Sequence, residues 1–267
     1  MNRIDRRFQE LKAKHLPAFI PYITTGDPTL DVTADLVLEF EKAGADIIEF
    51  GVPFSDPVAD GVVNQEAAQR ALKHHVSLRD VIGLVRRLRG QTQIPLVLFT
   101  YFNPVLAYGL PKFAQDAAEA GVDGVLCVDL PPEEAGEYKQ CLDAKDIATI
   151  FLIAPTSTPE RIALIAGRCS GFVYYVSRTG VTGERSDVEA SVKGMVARIK
   201  AHTAAPVAVG FGISTPQQAA EVAGFADGVI VGSAIVRMIG ELGDSPQTVP
   251  KVGAFVKSLV HAAKNRC

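Results

Sequence analysis

The sequence predicts one α/β domain, a (β/α)8 barrel with an added N-terminal helix and a short extra helix after strand 8. Three observations predict it. Short apolar runs alternate eight times with amphipathic stretches along 267 residues, with no linker or shift in composition, so residues 1–267 form a single domain. Several runs lack polar alternation, as strands covered on both faces do. Glycine-rich segments follow the seventh and eighth runs, where such barrels hold phosphate. An open doubly wound sheet is the competing arrangement. The regular alternation and the late glycines favour closure.

Each element has its own signal. Residues 2–14 form an amphipathic stretch suited to cover the barrel's bottom. The runs 18–24, 46–51, 94–101, 122–129, 148–154, 171–177, 206–210 and 227–231 are short and rich in Val, Ile, Leu, Phe and Tyr, and read as strands. Helical patterns lie between them at 31–43, 62–89 (in two pieces), 113–120, 133–145, 159–167, 188–201 and 216–223. A last pair spans 233–241 and 248–264. Thr158-Pro159-Glu160 and Thr215-Pro216-Gln217 each set a capping hydroxyl before proline at the first helical position.

Apolar residues make up 48% and charged residues 21% of the chain, an ordinary globular composition. A net charge of -3 offers no basic face for nucleic acid. The charged N-terminus lacks the apolar core of a signal peptide, and no apolar run is long enough to span a bilayer. Cys127, Cys141, Cys169 and Cys267 have no paired spacing. A cytoplasmic location is the expectation.

Active groups of such a barrel come from the C-terminal ends of its strands and the loops that follow. Glu49 is a lone carboxylate in the apolar run Ala45-Asp46-Ile47-Ile48-Glu49-Phe50-Gly51, sharing a face with Ile47 by period-2 alternation. Its place at the strand end favours catalysis over a structural role, and poor solvation should raise its pKa. The next loop, Gly51 to Gly61, presents Asp56 and Asp60 between prolines that limit its conformations. Asp60 has a competing reading as the cap of the helix near Val62. The segments Gly210-Phe211-Gly212-Ile213-Ser214 and Val231-Gly232-Ser233-Ala234 let an anion approach backbone N–H groups, and Ser233 starts a short helix. Ser177 to Arg185 is a polar, glycine-spaced loop suited to a closing lid. Tyr22, Tyr101, Asp129 and Tyr174 are pocket candidates by the same strand-end logic. His74-His75 is an adjacent pair, better read as solvated surface than as a metal site. No metal, nicotinamide or reactive-cysteine motif stands out.

Glu49 followed by Gly51-x-Pro53-Phe54-Ser55-Asp56-Pro57-x-Ala59-Asp60-Gly61 resembles the signature of the tryptophan synthase α chain, a TIM barrel. The resemblance continues through Asp129-Leu130-Pro131, Ser177-Arg178-Thr179-Gly180-Val181-Thr182-Gly183, Gly210-Phe211-Gly212-Ile213-Ser214 and Gly232-Ser233-Ala234-Ile235-Val236, in family order over nearly the whole chain. It implies retro-aldol cleavage of indole-3-glycerol phosphate to indole and glyceraldehyde 3-phosphate. It further implies Glu49 as general acid–base and Asp60 as acceptor for the indole N–H. Thr182 would order Asp60 on loop closure. Gly183, Gly212, Gly232 and Ser233 would hold the phosphate, with Phe211 and Tyr174 beside the substrate. A β chain carrying pyridoxal phosphate is the implied partner, in an α2β2 heterotetramer, facing the loop Pro53 to Asp60 and the loop beginning Asn103-Pro104. No cofactor is implied on this chain. After Gly61 the family usually has proline and, two positions later, an apolar residue; here Val62-Val63-Asn64 stands instead.

Three alternatives compete with a lyase subunit. A non-catalytic regulatory partner would be expected to lack Glu49 or Asp60. A phosphosugar isomerase shares the barrel and phosphate site but has no use for the Pro53–Asp60 loop. A free-standing lyase releasing indole would use the same residues.

Overall fold

The computed structural model describes residues 1–177, 185–210 and 212–265. Its strands are β1 (Ala18–Thr24), β2 (Ile48–Gly51), β3 (Leu96–Thr100), β4 (Gly124–Cys127), β5 (Ala148–Ile150), β6 (Leu152–Ile153), β7 (Val173–Val176), β8 (Val207–Gly210) and β9 (Gly228–Val231). All pair in parallel, in the order β5-β4-β3-β2-β1-β9-β8-β7-β6. The expected strand 148–154 is split at Phe151. Its first half pairs with β4 and its second with β7. Across the break, Ser170 N donates to Thr149 O and Tyr174 N to Phe151 O, so β5 and β6 together fill the fifth of eight strand positions and close the barrel.

The helices are α1 (Arg3–Ala13), α2 (Leu30–Ala43), α3 (Val62–Leu72), α4 (Leu78–Leu88), α5 (Phe102–Tyr108), α6 (Leu110–Ala120), α7 (Gly136–Asp143), α8 (Pro159–Arg168), α9 (Arg185–Lys200), α10 (Pro216–Ala223), α11 (Ser233–Leu242) and α12 (Thr248–Lys264). The expected division of 62–89 has a local cause. Asp80 accepts from both the backbone N and the hydroxyl of Ser77, a capping box that starts α4 afresh. Helix α5 was not expected. Its seven residues are too few to show a period, and Pro104 within it reads as a breaker. Among the described residues no helix is long and apolar enough to cross a membrane.

Strand alternation sorts the core into two layers. Ala18, Ile20, Ile47, Val97, Leu126, Ile150, Ala208 and Ile230 fill the barrel, and Ile4, Phe8 and Leu11 of α1 plug its lower end. Phe19, Ile23, Ile48, Phe50 and Leu98 point outward into the larger layer beneath the helices. At the lower rim three aspartates, each shortly before a strand, accept from an N–H at the start of a neighbouring strand. Asp46 takes Phe19 N at 2.7 Å, Asp123 takes Leu96 N at 2.8 Å, and Asp227 takes Val207 N at 2.9 Å. Asp46 is further held by Arg7 and Lys264, and Asp123 by Arg3 and Arg89. The lower rim is thus built for stability, leaving the upper rim for chemistry.

Candidate active site

Glu49 sits in β2 directly across from Tyr22 of β1. Alternation sends it inward with Ile47, and it is fully buried. Neither carboxylate oxygen has a hydrogen-bond partner. Burial alone raises its pKa to about 8, because nothing nearby compensates the ionised form. Tyr22 and Tyr174 are its electrostatic neighbours, and burial lifts both phenols far above their ordinary range. A carboxyl so placed is protonated at neutral pH and can give up its proton within a unit or so of it.

The loop from Val52 to Gly61 carries Asp60. The cap of α3 is Gly61, in extended conformation and with no side-chain cap bond, so the Asp60 carboxylate is not occupied at the helix end. Its Oδ2 instead accepts from the Tyr101 hydroxyl at 2.9 Å. That phenol oxygen also accepts from Ala59 N at 3.0 Å, and its ring packs at 5.1 Å from Phe54. Gln65 braces the same loop by donating to Asp60 O at 2.8 Å. Partial burial raises the Asp60 pKa, while the hydrogen bond from Tyr101, with the nearby Asn64 side chain, pulls it back down. Asp56, by contrast, is exposed.

A cleft of about 350 Å³ opens at the C-terminal strand ends. It brings together Tyr22, Asp60, Tyr174, Gly212, Gly232 and Ser233 from the expected set, and adds Asn64, Phe99, Leu152 and Arg237. Its size suits a small organic ligand. Gly232 caps α11 without a side-chain bond, and Ser233 begins that helix, so its first N–H groups are open to an anion. Arg237, one turn on, adds positive charge. Two glycines shape the aromatic part of the cleft. A Cβ at Gly51 would lie 2.1 Å from the Tyr22 hydroxyl, and one at Gly210 would lie 2.5 Å from that of Tyr174. A larger hollow, about 490 Å³, lies at the opposite face among the N-terminal strand ends and holds none of these groups.

Not every expected residue lines the cleft. Glu49 is buried next to it, beside Tyr22. Tyr101 acts on it through Asp60. The Asp129 carboxylate accepts from Phe102 N at 2.7 Å, at the start of α5. Thr182, Gly183 and Phe211 lie outside the described residues, as do residues 178–184 of the expected lid. Gln65 and Arg237 were missed by sequence reasoning, and Asn64 entered it only as a departure from the family pattern. Arg237 stands four residues after Ser233, a spacing that places it above that residue on one helix face. For Asn64 and Gln65 the cue was the polar pair interrupting the first turn of α3. Among the described residues no group of three or more His, Cys, Asp or Glu is placed to hold a metal ion.

A family model described as tryptophan synthase alpha chain matches residues 8–264. A curated tryptophan synthase alpha chain from Geobacter sulfurreducens is 51% identical over 265 residues, covering 99% of this chain and 100% of its own. The alpha chain from Opitutus terrae is 47% identical, again covering 99% of this chain and 100% of its own. Among solved structures, the alpha subunit of tryptophan synthase from Legionella pneumophila superposes with a TM-score of 0.91 at 41% identity, covering 98% of each chain. Tryptophan synthase from M. tuberculosis in an aminoacrylate-bound form gives 0.88 at 35% identity, covering 99% of this chain and 100% of that one. The barrel, its upper-rim cleft and the full-length match agree: the chain belongs to the tryptophan synthase alpha chain family.

Proposed function

We propose that this chain is the lyase subunit that cleaves indole-3-glycerol phosphate to indole and glyceraldehyde 3-phosphate in tryptophan biosynthesis. The observation that carries the reading is the pair of carboxylates with opposite surroundings. Glu49 is buried, unpartnered and protonated; Asp60 is hydrogen-bonded and lines the cleft. Two acids driven apart in this way take separate acid–base roles.

Indole is a poor electron sink for breaking the bond between its C3 and the glycerol chain. Protonation of C3 by Glu49 turns the ring into an indolenine whose nitrogen bears positive charge. The Asp60 carboxylate accepts the N–H bond and stabilises that charge. The Glu49 carboxylate then takes the proton of the glycerol hydroxyl on the adjacent carbon. As that O–H electron pair forms the aldehyde C=O, the C–C bond breaks and its electrons restore indole. Glu49 ends protonated, as it began. The substrate phosphate is assigned to Gly183, Gly212, Gly232 and Ser233, with Phe211 and Tyr174 beside the substrate, and Thr182 to ordering Asp60.

A β chain with its own pyridoxal phosphate is proposed as partner, consuming the indole in an α2β2 assembly in the cytoplasm. Exposed Val58 and Val62, on and beside the Pro53–Asp60 loop, and exposed Leu106 support it, the expected loop at Asn103-Pro104 being helix α5. An indole-release assay with and without a β chain tests the whole reading. Slow release alone and much faster release with the β chain is expected. High activity alone points to a free-standing lyase, and no release under either condition refutes the reaction.

A further inference from the structure

We infer that Arg70 is a positioning residue: clamped by Asp27 and laid across Gly240, it fixes helix α3 against helix α11, and with them the distance between Asp60 and the anion-binding end of α11. The inference rests on the roles proposed above for Asp60 and Ser233. Asp60 stands immediately before the cap of α3, and Ser233 begins α11, so the acid and the phosphate site ride on the leading ends of two separate helices. One ligand can reach both only if the two helices keep a set spacing.

The contact between the two helices runs as a seam. Near the cleft, Ala67 of α3, Val236 of α11 and Tyr22 of β1 form a buried cluster, with Val63 packed against it. Val63, Ala67 and Arg70 lie four and three residues apart, and Val236 and Gly240 four apart, so each set shares one helix face. Arg70 and Gly240 therefore continue the seam at the end farther from the cleft. There the Arg70 guanidinium donates to both carboxylate oxygens of Asp27, from Nε and Nη2, each at 2.8 Å. Asp27 is 2% exposed and lies in the loop between β1 and α2. A Cβ at Gly240 would lie 2.6 Å from Arg70 Nη2 and 3.0 Å from its Cζ, so the guanidinium rests on bare backbone of α11. The apolar part of the seam can slide, because hydrophobic contact has no direction; a planar fork bonded twice to one carboxylate cannot. Aliphatic residues in place of this pair would supply adhesion without register, and would spare the fold the cost of taking a carboxylate out of water.

The test compares ligands that do and do not span the two helices, in the full-length protein, by equilibrium titration followed by NMR. Inorganic phosphate and indole each occupy one end, whereas an indole bearing a phosphorylated three-carbon chain at C3 must occupy both. Arg70→Met should leave the dissociation constants of phosphate and indole within about twofold of the wild type. It should weaken the tethered compound about tenfold, since only the tether reads the spacing of the two ends. Arg70→Lys, which keeps the charge but not the fork, should recover only part of that loss. If Arg70→Met does not fold, Gly240→Ala takes its place, because its methyl group displaces the guanidinium from α11 while leaving Asp27 its counter-charge. A lower Tm with the tethered compound bound as in the wild type makes Arg70 merely structural and overturns the inference. Equal weakening of all three ligands overturns it too, and a wild type that binds none of the three refutes both the inference and the proposed function. Selective loss of the tethered compound, in a protein whose wild type releases no indole from indole-3-glycerol phosphate, refutes the proposed reaction and leaves the positioning role standing.

Discussion

The Tyr101 hydroxyl donates to Asp60 Oδ2 at 2.9 Å while accepting from Ala59 N at 3.0 Å, so one phenol fixes both the loop backbone and the acid it carries. Tyr101→Phe keeps the ring against Phe54 and deletes only these two bonds. Burial already raises the Asp60 pKa, and losing the phenol raises it further. Asp60 must be ionised to stabilise the indolenine, so the acid limb of the kcat profile should move to higher pH. At neutral pH kcat should fall about tenfold, with KM changed less. A pH–rate profile identical to the wild type would sink the assignment.

Glu49 makes a prediction of opposite sign. Its folded pKa, about 8, lies above the ordinary 4.5. Below pH 4.5 both folded and unfolded chains are protonated there, and the group is neutral in its effect. Between 4.5 and 8 the unfolded chain has released the proton and the native chain still holds it, so native stability declines as pH rises. Glu49→Gln cannot ionise. Its stability relative to wild type should therefore grow across that window by a few kcal/mol at most, even as turnover is nearly abolished. Urea unfolding at several pH values measures this directly, and a difference independent of pH would refute the buried, uncompensated carboxyl. In the wild type, kcat/KM should fall above about pH 8 as Glu49 ionises in the free enzyme.

Gly51 and Gly210 end two strands where a neighbouring tyrosine leans across. A methyl group at Gly51 meets the Tyr22 hydroxyl at 2.1 Å, and at Gly210 it meets that of Tyr174 at 2.5 Å. Either alanine must push aside an aromatic side chain that lines the cleft. Gly51→Ala, the tighter case and two residues from Glu49, should cost about 1–3 kcal/mol in stability and raise KM more than Gly210→Ala does. Thermal unfolding beside steady-state kinetics checks the order. Equal, negligible effects would mean that the tyrosines are free to move.

How much of this was legible in the sequence depended on the range of the signal. Period-2 alternation placed Glu49 on the inner face with Ile47, because a strand's side-chain direction is fixed locally. The capping hydroxyls of Thr158 and Thr215 were legible for the same reason, as each cap is closed within four residues. Asp60 was ambiguous between cap and pocket. What resolved it was Tyr101, forty-one residues on, which no local pattern connects to the loop. Asp129 fails the strand-end rule in an instructive way: its carboxylate is held by the backbone of α5, a helix too short to announce itself. Arg237 needed the barrel to be closed before Tyr22 and Asp60 stood in the same cleft, whereas Asn64, four residues from Asp60, was within local range.

The lower rim gives a last prediction, separable from catalysis. Asp123 accepts from Leu96 N at 2.8 Å, from Arg89 at 2.6 Å and from Arg3 at 2.9 Å, and is 3% exposed. Asp123→Ala leaves a buried N–H without its acceptor and two guanidinium groups without their counter-charge. Arg89 is the more damaging of the two, being 12% exposed against 34% for Arg3. The expected loss is about 2–4 kcal/mol, with several degrees taken from Tm. Asp123→Asn, which can still accept from Leu96 N, should lose less. Because this rim lies at the opposite end of the barrel from the cleft, KM for indole-3-glycerol phosphate should stay near the wild-type value in both variants. A large rise in KM together with unchanged Tm would show that the two ends of the barrel are not independent.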